Sequence, residues 1–188
     1  MPYIQNASTF LIGALFSFAL YTVLLRFWMQ WVRADFRNEI GQFVISATNP
    51  VVLPLRKILP SIGVIDTATV VLAILVSLLK FGVIVLISGE LAKYSIPRLI
   101  SFGFAGTIEA TIYLFMAAIF IGIIASWVNP NSYNPILGVA RSISEPLLAP
   151  ARNLIPAFGG LDFSPMIVLL FLQFSLRLIV APLYNLPI

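Results

Sequence analysis

The sequence predicts an all-α membrane protein. It reads as two tandem helical hairpins with about four transmembrane helices, short amphipathic interfacial or re-entrant helices, and a pseudo-two-fold axis along the membrane normal. Three observations carry this. Apolar residues make up 60% of the chain and charged residues 10%, with a mean hydropathy of +1.03, whereas a soluble domain carries about a quarter charged residues. Four runs, Ala7 to Leu25, Ala68 to Ser88, Ala110 to Val128 and Phe163 to Tyr184, contain no charge apart from Lys80 and Arg177, and each matches the roughly 20 residues a spanning helix needs. The third observation is an internal repeat: a shift of 96 residues lays Trp127 to Asp162 over Trp31 to Asp66 without a gap. Eleven columns are identical, from Trp31/Trp127 and Val32/Val128 through Asn38/Asn134, Ile40/Ile136, Ser46/Ser142, Pro50/Pro146, Pro54/Pro150, Arg56/Arg152, Pro60/Pro156 and Gly63/Gly159 to Asp66/Asp162. Such self-similarity sets the architecture. It divides the chain into a first repeat over residues 1–90, a linker over 91–106 and a second repeat over 107–188, each a helix, a polar island and a helix.

The first helix is expected from Thr9 to Met29, with Arg26 snorkelling beside Trp28 and Trp31 at an interface. Asn38 then reads as the N-cap of a segment from Glu39 to Thr48, in which Ile40, Phe43, Val44 and Ala47 fall at helical spacing. In the second copy Asn134 caps, Pro135 takes the first helical position, and Ile136, Val139, Ala140 and Ile143 form the stripe. Ten residues are too few to span. A break is expected after each at Asn49-Pro50 and Glu145-Pro146, because the residue before proline is pushed from the helical region. Pro54 and Pro150 follow, then a short amphipathic turn carrying Arg56 and Lys57, stopped by Pro60 or Pro156.

Gly63 and Gly159 give the turn its freedom, and Asp66 and Asp162 stand before the next helix, where a carboxylate suits the dipole. In the second copy Ser164 is expected to cap and Pro165 to open the helix. Leu91 to Gly106 reads as a surface loop running into a third helix that begins as early as Leu99. Lys80 and Glu109 then lie about 15 Å inside the membrane, by the helix rise, where they can pair. Basic residues concentrate on the islands (Arg33, Arg37, Arg56, Lys57, Arg141, Arg152), against Lys93 and Arg98 opposite. The positive-inside bias therefore places the islands in the cytoplasm and both termini outside. No cleaved signal peptide is expected, since a basic n-region and a small-residue cleavage site are missing from the start.

With no cysteine and no histidine, disulfides, thiol nucleophiles and thiolate or imidazole metal sites are excluded. No cofactor or metal is expected. Scattered serines without an activating histidine, and the lack of a Gly-rich phosphate loop, argue against an enzyme. The net charge of +4 sits beside apolar runs, which suits anionic lipid head groups and not nucleic acid.

At the islands the chain resembles the YggT, or YlmG, family of bacterial inner-membrane and plastid proteins. The resemblance rests on MQWVRADFRNEIGQFVISATNPVVLPLRKILP with Gly63 and Asp66, and on SEPLLAPARNLIP with Gly159, Gly160 and Asp162. Asn153 stands where a second basic residue is usual. The resemblance implies a small multi-pass protein of the cell membrane. The roles linked to the family are osmotic tolerance and potassium uptake, cell division and envelope organisation, and cytochrome assembly or nucleoid distribution in plastids. A membrane scaffold or assembly factor is compatible with all of them.

Two readings of the polar residues follow. Arg56/Asp66 and Arg152/Asp162 either build a polar site between facing islands, with arginines on aspartates or lipid phosphates, or serve as helix caps and snorkelling cations. Lys80, Glu109 and Arg177 either line an ion path or form structural pairs, since a charge at a helix centre costs at least ~2.5 kcal/mol. Lys80 and Arg177 fall one residue from equivalence, which suggests a shared structural role. The expected function is a non-enzymatic organiser binding lipid and partner membrane proteins, with a channel or transporter component for ions under osmotic stress as the alternative. A pore from so few helices would need a homo-oligomer.

Overall fold

The computed structural model describes residues 2–128, 134–154 and 162–186. Every long element is a helix: α1 Pro2–Trp31, α2 Glu39–Ile58, α3 Thr67–Ser88, α4 Ile96–Val128, α5 Pro135–Leu154 and α6 Ser164–Ser175, continued by a π-helical turn Leu176–Val180 into α7 Ala181–Tyr184. Among the described residues four stretches are long and apolar enough to cross a membrane, namely Tyr3–Trp31, Thr67–Ser88, Ile96–Val128 and Ser164–Tyr184. Their outer faces carry large exposed apolar side chains such as Phe10, Leu15, Leu79, Phe120, Leu170 and Phe174. In water that surface would drive aggregation; against lipid it is solvated.

α4 is the central helix, packing on α1, α3, α5, α6 and α7. Lipid tails are as apolar as leucine, so burial alone does not hold such helices together, and small residues that allow close approach do more. α4 buries Ser101, Gly103, Ala105, Gly106, Ala110, Ala118 and Ala125. A Cβ at Gly103 would collide with the Leu78 side chain, and one at Gly106 would stand 2.6 Å from Ser77 Oγ and from the Phe81 ring. The absence of side chains there sets how closely α3 and α4 meet.

Several expectations change. α1 extends two turns before Thr9. The loop before the third helix is shorter than expected: a single 3-10 turn, Leu91–Lys93, leads into α4, which starts at Ile96, three residues before Leu99, with Pro97 in its first turn. The larger correction concerns the islands. Instead of a ten-residue helix, a break and a separate turn, each island is one 20-residue helix containing both prolines, Pro50 and Pro54 in α2, Pro146 and Pro150 in α5. All four prolines lie on exposed faces. Their missing N–H groups strip the carbonyls of Ser46, Pro50, Ser142 and Pro146 of partners, but four-residue spacing confines the loss to one stripe. The opposite stripe, Gly41, Val44, Thr48 and Val52 in α2, stays buried against the bundle, and packing there holds the helix through the prolines.

The rings of Phe18 and Phe43 lie 6.2 Å apart, Arg26 bonds Thr48, and Gln30 bonds Arg56. These contacts advance along both helices together, so α2 runs beside the second half of α1 in the same sense. The segment 32–38 therefore returns the chain alongside α1, with Arg33 at φ 54 in the turn.

Candidate functional site

Three groups of polar side chains are built by this fold. The first lies where α1, α2 and α3 converge. Arg56 near the end of α2 donates through Nη2 to Asp66 at 2.5 Å and through Nε at 3.2 Å, while the same Nη2 reaches Gln30 at 3.0 Å. The Asp66 side chain is fully buried. Asp66 occupies the N-cap position of α3 but makes no side-chain cap bond, so the capping reading is corrected: its carboxylate is committed to Arg56. Arg26 is buried too, donating to Thr48 Oγ1 at 2.6 Å and Asn49 Oδ1 at 2.9 Å. Its expected snorkelling is overturned, because α2 folded back beside α1 supplies acceptors in place of water. Arg26, Gln30, Thr48 and Asn49 were missed by the repeat comparison, since Gly122, Ser126, Ser144 and Glu145 replace them in the second copy.

The second copy builds the same pair differently. Arg152 meets Asp162 at 3.1 Å and Glu145 at 2.8 Å, with all three side chains about half exposed. Asp162 also accepts the Ser164 amide at 2.9 Å. Ser164 beside the carboxylate, together with Arg152, holds Asp162 below its ordinary 3.8. α6 starts at Ser164 with Phe163, not Ser164, in the cap position and Pro165 in the first turn. Two arginines and one aspartate leave the first cluster at +1, from Arg26 + Arg56 − Asp66. One arginine and two carboxylates leave the second at −1, from Arg152 − Glu145 − Asp162.

At their other ends the islands face one another. Asn38 caps α2 by accepting the Gly41 amide at 2.8 Å, and Asn134 accepts the Ile136 amide at 2.9 Å at the start of α5, where Pro135 takes the first helical position as expected. Asp35, Arg37 and Glu39 line one groove of about 590 Å³ with Asn134, Gly138 and Arg141. Around this unit Arg33, Arg37, Lys57, Trp31 and Trp127 are exposed. Gly63, at φ 60, forms the tight turn in which Ile62 and Ile65 exchange backbone hydrogen bonds at 3.0 Å. Pro60 follows Leu59, the C-cap of α2. Pro156 and Gly159 lie outside the described residues.

The third group lies among the spanning helices. Lys80 and Glu109 do not pair, correcting the expectation. Lys80 Nζ donates to Ser17 Oγ at 2.8 Å, and Glu109 accepts the Tyr184 hydroxyl at 2.6 Å. Both line a cavity of about 150 Å³ with Ser17, Tyr21, Ser77 and Tyr113. Arg177 is elsewhere, on an exposed face. Leu176, its neighbour and the gap-free counterpart of Lys80, is buried instead, and the π-helical turn keeps Leu172, Leu176 and Val180 on one buried face at intervals of four. Their near-equivalence by spacing was misleading, since a one-residue shift turns a helical side chain by about 100°.

A family model described as CCB3/YggT matches residues 5–87 and 102–183, one segment per repeat. The chain is 40% identical over 171 residues to an uncharacterized protein in the proC 3′ region of Vibrio alginolyticus, covering 91% of this chain and 92% of that protein. It is 38% identical over 169 residues to the uncharacterized protein YggT of Escherichia coli K12, covering 89% and 86%, and 34% identical over 163 residues to an uncharacterized Haemophilus influenzae protein, covering 87% and 86%. No solved structure matches the chain. Two family segments that coincide with the two helix–island–helix units, and relatives matched over most of their length, give the conclusion: the chain belongs to the CCB3/YggT family.

Proposed function

We propose that the protein is a non-enzymatic organiser of the bacterial inner membrane, binding anionic lipid and partner membrane proteins through its two islands. One observation supports this reading: on each island the arginine and aspartate shared by the repeats are paired with each other, as Arg56–Asp66 and Arg152–Asp162, while the surface left free on the first island is basic and apolar together. Arg33, Arg37 and Lys57 are exposed beside Trp31, Phe43 and Ile58. Such a surface takes lipid head groups through its cations and acyl chains through its apolar side chains. Helical islands on a small bundle suit assembly and envelope or osmotic homeostasis better than turnover of a substrate. The distribution of lysine and arginine supports islands in the cytoplasm and termini outside.

Native mass spectrometry of the purified protein with mixed anionic and zwitterionic lipids tests this. Anionic lipid retained by wild type should be lost in the triple variant Arg33→Ala/Arg37→Ala/Lys57→Ala. Equal retention of both lipid classes by both proteins would defeat the lipid half of the reading. A second reading, a component of an ion conduit under osmotic stress, is favoured by the cavity that Lys80 and Glu109 share. Potassium flux into proteoliposomes, abolished by Lys80→Met, would support it over the organiser.

A further inference from the structure

At the end of the bundle opposite the islands, Gln5 near the start of α1 reaches the Ile87 carbonyl near the end of α3 at 2.8 Å, and α4 begins beside them. Lys93 is committed there to Glu90 at 2.6 Å. Arg98, in the first turn of α4, has no such partner. Among the described residues no hydrogen bond or ion pair engages its guanidinium, and its Nε is buried without an acceptor. The Arg98 backbone amide is already taken by the Ser95 hydroxyl at 3.4 Å, so only the side chain is left to donate.

Two rings hold that side chain. The guanidinium carbon lies 5.6 Å from the ring centre of Tyr94 and 5.7 Å from that of Phe102, inside the roughly 6 Å over which a ring face attracts a cation. The rings are fixed in turn: Tyr94 meets Phe102 at 5.6 Å, and Phe102 meets Phe81 of α3 at 5.7 Å and Tyr184 of α7 at 5.5 Å. With Nε covered, the terminal nitrogens are the donors that a ligand can reach. A half-buried side chain held on two rings has little freedom to lose when they are engaged. Phe102 is level with Phe81, which precedes the end of α3 at Ser88 by two turns. Arg98 is one turn nearer that end, about 5 Å short of it by the helix rise, at the depth of the interfacial aromatic belt and the head groups.

We propose that Arg98, set by Tyr94 and Phe102, clamps the phosphodiester of a membrane phospholipid on the side of the termini. A planar guanidinium matches a phosphate through two parallel N–H···O bonds, and the lipid supplies the negative charge that no carboxylate supplies here. The exposed apolar side chains of Leu91 and Ile96 flank the site in sequence and suit the rest of the lipid. A single free cation selects the phosphate and not the net charge of the head group, so zwitterionic and anionic phospholipids both fit. The site is independent of the islands, which lie at the other end of the bundle.

The test is photo-cross-linking of the full chain in detergent micelles with a limiting amount of phosphatidylcholine that carries a diazirine beside its phosphate. A diacylglycerol with the diazirine at the corresponding position serves as the phosphate-free probe. Peptide mapping should place the phosphatidylcholine label on residues 91–102 of wild type and find little diacylglycerol label there. Arg98→Gln should lower the phosphatidylcholine yield on that segment roughly tenfold, the size of a charge-assisted contact. Tyr94→Leu, which keeps the cation and removes one ring, should give an intermediate yield. Arg33→Ala/Arg37→Ala/Lys57→Ala should leave it at the wild-type level, so this site and the islands fail separately. An unchanged yield in Arg98→Gln would overturn the proposal. Equal labelling by the two probes in wild type would overturn it as well, and that arm decides the matter should Arg98→Gln fail to fold. Loss of the label on adding inorganic phosphate would assign the arginine to a free anion and overturn the lipid.

Discussion

Arg56 holds Asp66 at 2.5 Å with the aspartate side chain fully buried, whereas the equivalent Arg152 and Asp162 meet at 3.1 Å with both partners 43% exposed. One repeat motif thus yields an interior ion pair in the first copy and a surface pair in the second.

The two pairs should differ in energetic weight. Removing one partner of a buried pair strands a charge and costs about 3–5 kcal/mol, whereas an exposed pair is worth about 0–1 kcal/mol. Unfolding in detergent micelles should therefore show Arg56→Ala strongly destabilised and Arg152→Ala close to wild type. Similar losses in both would mean the difference in burial carries no energy.

Arg26 should be coupled to α2. Its guanidinium bonds only the neutral Thr48 and Asn49 side chains, so Arg26→Met leaves two acceptors short of a donor. A loss of about 1–3 kcal/mol is expected. Adding Thr48→Val should recover part of it, because removing both members of a buried contact leaves less unsatisfied. A double-mutant cycle that sums without coupling would contradict the contact.

Glycines of α4 should divide by position. Gly106→Ala drives a methyl group into Ser77 and Phe81, and overpacking of this kind costs about 1–3 kcal/mol. Gly122 has nothing within 4 Å of an added Cβ, so Gly122→Ala should be neutral or gain up to about 1 kcal/mol of helix propensity. Thermal unfolding of the two single variants checks this.

Acid should loosen the second island before the bundle. Because the folded protein holds Asp162 below its ordinary 3.8, its contribution is fully present above that value. It is lost as pH falls through the lower folded value, when the carboxylate takes up a proton. Protection of the Ser164 amide from hydrogen exchange, relative to the intrinsic rate at each pH, should fall below about pH 4 in wild type and stay constant there in Asp162→Asn.

The sequence alone determined the class and the repeat. Four long apolar runs are legible because a helix must satisfy its backbone within itself in lipid, and the asparagine caps and the Arg–Asp spacing are legible because their geometry is local. Tertiary structure decided what depended on neighbours. Local sterics predict breaks at the prolines, yet α2 and α5 pass through them because each helix buries its opposite stripe. The neighbouring indoles predict Arg26 at the interface, and the folded-back α2 turns it inward. Lys80 and Glu109 were matched by depth, but depth does not fix azimuth, and rotation about the helix axes gave each a separate hydroxyl partner around a shared chamber. The same principle separates Lys80 from Arg177: one residue along a helix is a different face, and only packing shows which face is inside.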